Sequence, residues 1–171
     1  MEIRKAESSD AKGIAKVHVD SWKTTYAHIL PSEYLQNLSY EQREIIWLQN
    51  IKESIVYVIK NQQQEIVGFS TGGLERSGNY PNHTGELYAI YIVKEYQKQG
   101  LGRKLIQPVL EQLKKENITG IVVLVLEDNS SCRFYEALGA KMIDRIQVKI
   151  AGKQLPELVY AWDDIGAVFD Q

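Results

Sequence analysis

Apolar residues recur at three- and four-residue spacing over Ala11, Ile14, Ala15, His18, Trp22 and Tyr26, just after the cap-forming run Ser8, Ser9 and Asp10. That period predicts an amphipathic first helix, preceded by a short strand at 2–5. Pro31 interrupts the pattern. A short helical stretch follows with Tyr34, Leu35 and Leu38, then another with Ile45, Leu48 and Ile51 on one stripe, and these early helices are placed to form a lid. Residues 54–60 and 65–74 are rich in β-branched side chains and flank the polar turn 61–64, which predicts an antiparallel hairpin with Gly68, Gly72 and Gly73 as bulge positions. A surface loop over 75–84 leads into a strand at 86–93. The helix opened by Gly100 turns Leu101, Leu105, Ile106, Val109, Leu110 and Leu113 toward a sheet, and Pro108 inside it predicts a kink or a break. A strand at 120–126, a short helix from Asn129 to Gly139, and strands at 141–150 and 157–163 around Gly152 complete the chain. Strands before, between and after helices imply a mixed-layer α+β fold, and no linker or repeat divides residues 1–171 into two domains.

Composition narrows the function classes. The chain has 171 residues, 44% of them hydrophobic, which suits one domain with a substantial core. Twenty basic and 22 acidic residues are well mixed and leave a formal charge of −2, so there is no electrostatic footprint for nucleic acid or an anionic membrane. A small-molecule or peptide partner is the expectation. Cys132 is the only cysteine, the opening residues MEIRKAE do not form a signal peptide, and the longest apolar run, 121–126, is far too short to span a membrane. These features predict a soluble cytoplasmic protein. His18, His28 and His83 show no metal spacing, so no metal is expected.

The segment 86–103, ELYAIYIVKEYQKQGLGR, joins an apolar strand to a glycine turn that opens a helix. Gly100 and Gly102 permit a tight turn whose N–H groups converge on an anion at the positive end of the helix dipole. A dinucleotide fingerprint needs a third glycine where Leu105 stands, and a P-loop needs a Gly-Lys-Ser/Thr that is absent. The pattern present is QxxGxG, from Gln97, Gly100 and Gly102, followed by FYEALGA at 134–140. On these two motifs the chain resembles the GNAT superfamily of acyl-CoA-dependent N-acetyltransferases, from the first strand to near Asp163.

The resemblance implies the GNAT fold, a central, mostly antiparallel mixed sheet flanked by helices. It also implies acetyl-CoA as acyl donor, a primary amine as acceptor, and direct attack in a ternary complex; a homodimer is one assembly in view. Carried onto this sequence, the turn Gln97, Lys98, Gln99, Gly100, Leu101, Gly102 and Arg103 cradles the diphosphate, Ile90, Tyr91 and Ile92 pair with the pantetheine arm, and Asn129 touches it. Asn129 is also the expected N-cap of the next helix. An alkyl ammonium near pKa 10.4 is about one part in a thousand neutral at physiological pH, so a base is needed. Glu86 is the candidate base and Tyr135 the candidate proton donor to the departing thiolate; a solvated surface carboxylate and a core aromatic are their bland alternatives. Some relatives carry a glutamate five residues before the asparagine, where this chain has Leu124. Trp22, Tyr26 and Tyr88 are candidate lining of the acceptor pocket, His18 a site-wall or core histidine, and Cys132 a packed residue rather than a nucleophile. Scattered acids, Glu33, Glu75, Glu157, Asp163 and Asp164, are expected to face solvent. The acceptor stays open among a polyamine, an amino acid derivative, an aminoglycoside-like drug, and a protein N-terminus or lysine. A non-catalytic acetyl-CoA sensor, needing neither Glu86 nor Tyr135, is the rival reading, and a purely structural protein the third.

Overall fold

The computed structural model describes residues 1–169. The strands are β1 (Glu2–Lys5), β2 (Ile55–Lys60), β3 (Ile66–Leu74), β4 (Gly85–Ile92), β5 (Ile121–Leu126), β6 (Lys141–Ile150) and β7 (Lys153–Trp162). They form a seven-stranded sheet in the order β1-β2-β3-β4-β5-β7-β6. The helices are α1 (Ala11–Thr25), α2 (Ser32–Gln36), α3 (Tyr40–Glu53), α4 (Leu101–Lys115) and α5 (Cys132–Ala137). The mixed α+β architecture agrees with the expectation from the sequence. The chain divides into two compact units, one of residues 1–72 and 89–109, the other of 73–88 and 110 onward.

In the first unit β1 and β2 pair antiparallel, as do β2 and β3, the latter with a bulge between Ile59 and Lys60. The β2–β3 hairpin follows from its β-branched strands and from Asn61, whose Oδ1 accepts the backbone N–H of Gln63 and of Glu65 at 3.0 and 2.9 Å. Ala11, Ile14, Ala15 and Val17 of α1 pack with Trp47, Val56, Val58 and Phe69. Each fully buried Ile or Phe of this kind contributes on the order of 2 kcal/mol of transfer free energy. The buried Asp10 is held by Arg4 at 2.7 Å, which offsets the cost of placing a carboxylate there. α3 departs from the predicted stripe. Trp47 is its buried residue, whereas Ile45 is 68% and Leu48 39% exposed; the helix is oriented by the one large aromatic rather than by the aliphatic spacing.

In the second unit the first residues of β4 run parallel to β5, with Gly85–Leu87 opposite Ile121–Val123, and β5 and β6 each pair antiparallel with β7. A two-residue turn joins β6 and β7, with Ala151 and Gly152 both left-handed at φ 52° and 76°. One face of this sheet packs Val122, Leu124, Val159 and Ala161. On α5 and β7, Tyr135, Leu138 and Trp162 are buried, and the Trp162 indole donates to the Leu138 carbonyl at 2.8 Å.

α4 runs without interruption through Pro108, so the predicted break is absent. The carbonyl that Pro108 leaves without its helical donor belongs to Lys104, an exposed residue on the solvent side of the helix, while Leu105, Ile106, Val109, Leu110 and Leu113 are buried. No helix is long and apolar enough to cross a membrane among the described residues.

Candidate active site

The glycine turn belongs to the first unit. Lys98 and Gly100 both adopt left-handed backbone, φ 59° and 74°, and Gln99 between them does not. Two left-handed residues so close together bend the chain sharply just before α4 begins at Leu101. Lys98 pays for this conformation, since a non-glycine residue in the left-handed region costs about 1 kcal/mol or more. Gln97 has a visible structural role: its side-chain amide donates to the Ile92 carbonyl at 2.8 Å and pins the turn to the end of β4. Gln99 likewise donates to the Glu95 carbonyl at 3.1 Å. Lys98 and Arg103 place two cationic side chains on or next to this turn.

Trp22, Tyr26 and Tyr91 come together in the same unit. The Trp22 indole donates to the Tyr91 hydroxyl at 3.0 Å, and the hydroxyls of Tyr26 and Tyr91 lie 3.2 Å apart. His18 stacks on Tyr91 at 5.4 Å between centroids, and its Nδ1 accepts from the Trp47 indole at 3.0 Å. Nδ1 is thus the unprotonated nitrogen of a neutral ring. Burial among these rings, and the charge of Arg43, lower its pKa to about 3. At neutral pH His18 is an uncharged ring packed among aromatics rather than a proton shuttle.

The second unit holds the acid–base candidates. Glu86 is 3% exposed, and Arg76 engages both of its oxygens: Nη2 donates at 2.6 Å, Nε at 3.2 Å and the backbone N–H at 3.1 Å. The guanidinium also lies 4.1 Å above the Tyr88 ring. Tyr88 donates its hydroxyl to the Leu74 carbonyl at 2.6 Å, and a Cβ on Gly73 would stand 2.6 Å from that hydroxyl, so Gly73 is there to admit it. Glu86 and Tyr88 are thereby joined by a residue the sequence reading passed over. Its only signal was a lone arginine in the loop ten residues before Glu86.

Asn129 stands two residues before Ser131, the N-cap residue, and is not itself the N-cap. Its Oδ1 accepts the Ser131 N–H at 2.9 Å, a short turn that feeds the chain from β5 into α5. Tyr135 is 5% exposed, packed beside Phe134, Tyr160 and Trp162. Tyr160 donates to Glu136 at 2.7 Å, and burial, followed by that bond, raises its pKa. Burial raises the Cys132 thiol as well, so it is no ready nucleophile. Glu157, expected on the surface, is half-buried, and burial followed by the charge of Glu86 raises its pKa, against the opposing effect of Arg76. Among the described residues no group of three or more His, Cys, Asp or Glu is placed to hold a metal.

A mixed α+β sheet whose fourth strand leads through a left-handed turn into α4 is the frame on which the family comparison can be read. The chain belongs to the acetyltransferase (GNAT) family, whose model matches residues 19–140, and it is an acetyl-CoA-dependent acyltransferase. It is 38% identical over 166 residues, 97% of this chain and 95% of the relative, to the uncharacterized N-acetyltransferase YuaI of Bacillus subtilis (strain 168). It is 28% identical over 152 residues, 84% of this chain and 90% of the relative, to the spermidine N(1)-acetyltransferase of Thermoplasma acidophilum. The crystal structure of the PaiA N-acetyltransferase from Thermoplasma acidophilum in complex with coenzyme A superposes with a TM-score of 0.71 at 23% identity, covering 94% of this chain and 96% of that one.

Proposed function

We propose that this protein is a cytoplasmic N-acetyltransferase, a single domain over residues 1–171, that moves acetyl from acetyl-CoA to a primary alkyl amine by direct attack. The observation that carries the reading is the left-handed pair Lys98 and Gly100 at the start of α4, a strained turn kept where an anion site is needed. Family membership and a relative named for spermidine acetylation support an amine acceptor. Bound acetyl-CoA supplies the thioester carbonyl that the amine attacks.

The chain's own residues then divide the work. Backbone N–H groups from Lys98 to Gly102 hold the diphosphate, with Lys98 and Arg103 adding positive charge. The backbone of Ile90, Tyr91 and Ile92 pairs with the pantetheine arm as an added strand, and Asn129 meets that arm from the β5–α5 turn. Trp22 and Tyr26 fix the Tyr91 ring through its hydroxyl and line the acceptor's approach. Tyr135 protonates the departing thiolate, its buried phenol being the proton source that the FYEALGA run supplies. Glu86 has both oxygens engaged by Arg76, and accepting a proton would break that pair; its service is to hold the guanidinium against Tyr88.

The test is a thiol-release assay with acetyl-CoA against a panel of polyamines, amino acid derivatives, aminoglycosides and peptides, beside calorimetric titration of CoA. Turnover with one amine class establishes the activity and names the acceptor. CoA binding with no turnover on any amine would instead support the sensor.

A further inference from the structure

With Glu86 committed to Arg76 and Leu124 standing where some relatives carry a glutamate, the second unit offers one other acid on the same face of its sheet. The strand registers show it. Leu124 lies opposite Val159 and Leu126 opposite Glu157, so Val122, Leu124, Leu126, Val159, Ala161 and Glu157 share the face to which Glu86, opposite Val122, also belongs. Glu157 stands between Leu126, the last residue of β5, and Ile146 of β6. The Asn129 N–H bonds back to the Leu126 carbonyl at 2.9 Å, so Glu157 neighbours the turn assigned above to the cofactor arm.

We propose that Glu157 is the general base of the acetyl transfer, taking a proton from the acceptor's ammonium directly or through one water. The inference rests on the acetyltransferase reading above. Three properties suit the carboxylate to the task. It is half-buried beside Leu126 and Ile146, and among the described residues no ion pair or side-chain hydrogen bond occupies it. The charged groups facing it are few: Glu86 and Arg76 from β4 and the loop before it, and Tyr80 with Asp144, whose side chains bond each other at 3.0 Å. Burial and the negative charge of Glu86 favour its protonated form, which makes the carboxylate a stronger base than one in water. In the balanced step, Glu157 accepts one ammonium proton, the freed lone pair forms the C–N bond, the C–S bond breaks, and the thiolate takes its proton from Tyr135. The proton still on the new amide nitrogen's cation then leaves to solvent.

The experiment compares wild type, Glu157→Gln, Glu157→Asp and Glu86→Gln with acetyl-CoA and spermidine or whichever panel amine turns over. Glu157→Gln is expected to lower kcat/KM roughly 100-fold or more at pH 7, with the deficit narrowing as pH rises toward the amine's own pKa, and Glu157→Asp to recover part of the rate. Carboxyl 13C titration of glutamate-labelled protein, with the Glu157 resonance assigned by its loss in Glu157→Gln, is expected to show a midpoint above the ordinary value of about 4.3. An ordinary midpoint, an undiminished Glu157→Gln, or a deficit equal at every pH would each overturn the assignment while leaving the acetyltransferase intact. A wild type that binds CoA but acetylates no amine would overturn the enzymatic reading and the base with it.

Discussion

Replacing Arg76 by alanine tests the internal logic of the site, because it strips the cation from a carboxylate that is only 3% exposed. The guanidinium itself is 62% exposed, so the pair lies between two regimes. An exposed pair is worth about 0–1 kcal/mol, and removing one partner of a fully buried pair costs about 3–5 kcal/mol. Arg76→Ala keeps the backbone N–H bond to Glu86 but loses the Nε and Nη2 bonds and the contact with the Tyr88 ring. A loss of about 2–3 kcal/mol follows, and for a chain of this size that lowers Tm by roughly 4–12 °C. Urea or thermal unfolding of Arg76→Ala, Glu86→Gln and the double variant forms a cycle that isolates the pair. We expect a coupling of at least about 1.5 kcal/mol, in the range of hydrogen bonds to charged groups. Coupling below about 0.5 kcal/mol would show that Glu86 tolerates burial without Arg76, and would return it to contention as a free base.

Other outcomes are equally direct. Gly100→Val puts a β-branched residue at φ 74°, and the strain of about 1–2 kcal/mol should weaken CoA binding roughly 10-fold by calorimetry; full affinity would remove the turn from the cosubstrate site. Tyr135→Phe should lower kcat roughly 100-fold with the CoA Kd within about twofold, and unchanged turnover would remove the phenol as proton donor. His18 titrates near 6.5 in the unfolded chain and at about 3 in the folded one, so its contribution is present above 6.5 and is lost as pH falls from there toward 3. Over that window wild-type stability should drop by up to about 1.4 kcal/mol per pH unit more than that of His18→Gln; parallel profiles would show that the ring is not held neutral.

Local patterning made much of the fold legible before any coordinates. The three- and four-residue period of α1 and α4, the β-branched runs of β2 and β3, and the glycines at 100, 139 and 152 depend on neighbours only a few positions away. The QxxGxG turn and the FYEALGA run were legible for the same reason, since a strand, a tight turn and a helix start in sequence carry their own geometry. Where the local rules misled, tertiary context had overruled them. Pro108 sits in an uninterrupted helix because the carbonyl it orphans is on the exposed side, and the aliphatic spacing of α3 yields to the single buried Trp47.

The tertiary structure alone decided what each acidic residue does. Glu86 and Glu157 are both glutamates within strands, and nothing adjacent in sequence tells them apart. Arg76 reaches Glu86 only because the loop from Glu75 to Thr84 folds back, its ends joined by a 2.9 Å backbone bond. Glu157 is half-buried because β5, β6 and β7 register so that Leu126 and Ile146 flank it. Charge state and engagement are set by partners brought together from distant positions, and register is a property of paired strands that no single strand contains. The sequence by itself therefore determined the class of chemistry and the glycine turn that opens α4, through short-range geometry, while long-range pairing determined which carboxylate is bound and which is left open.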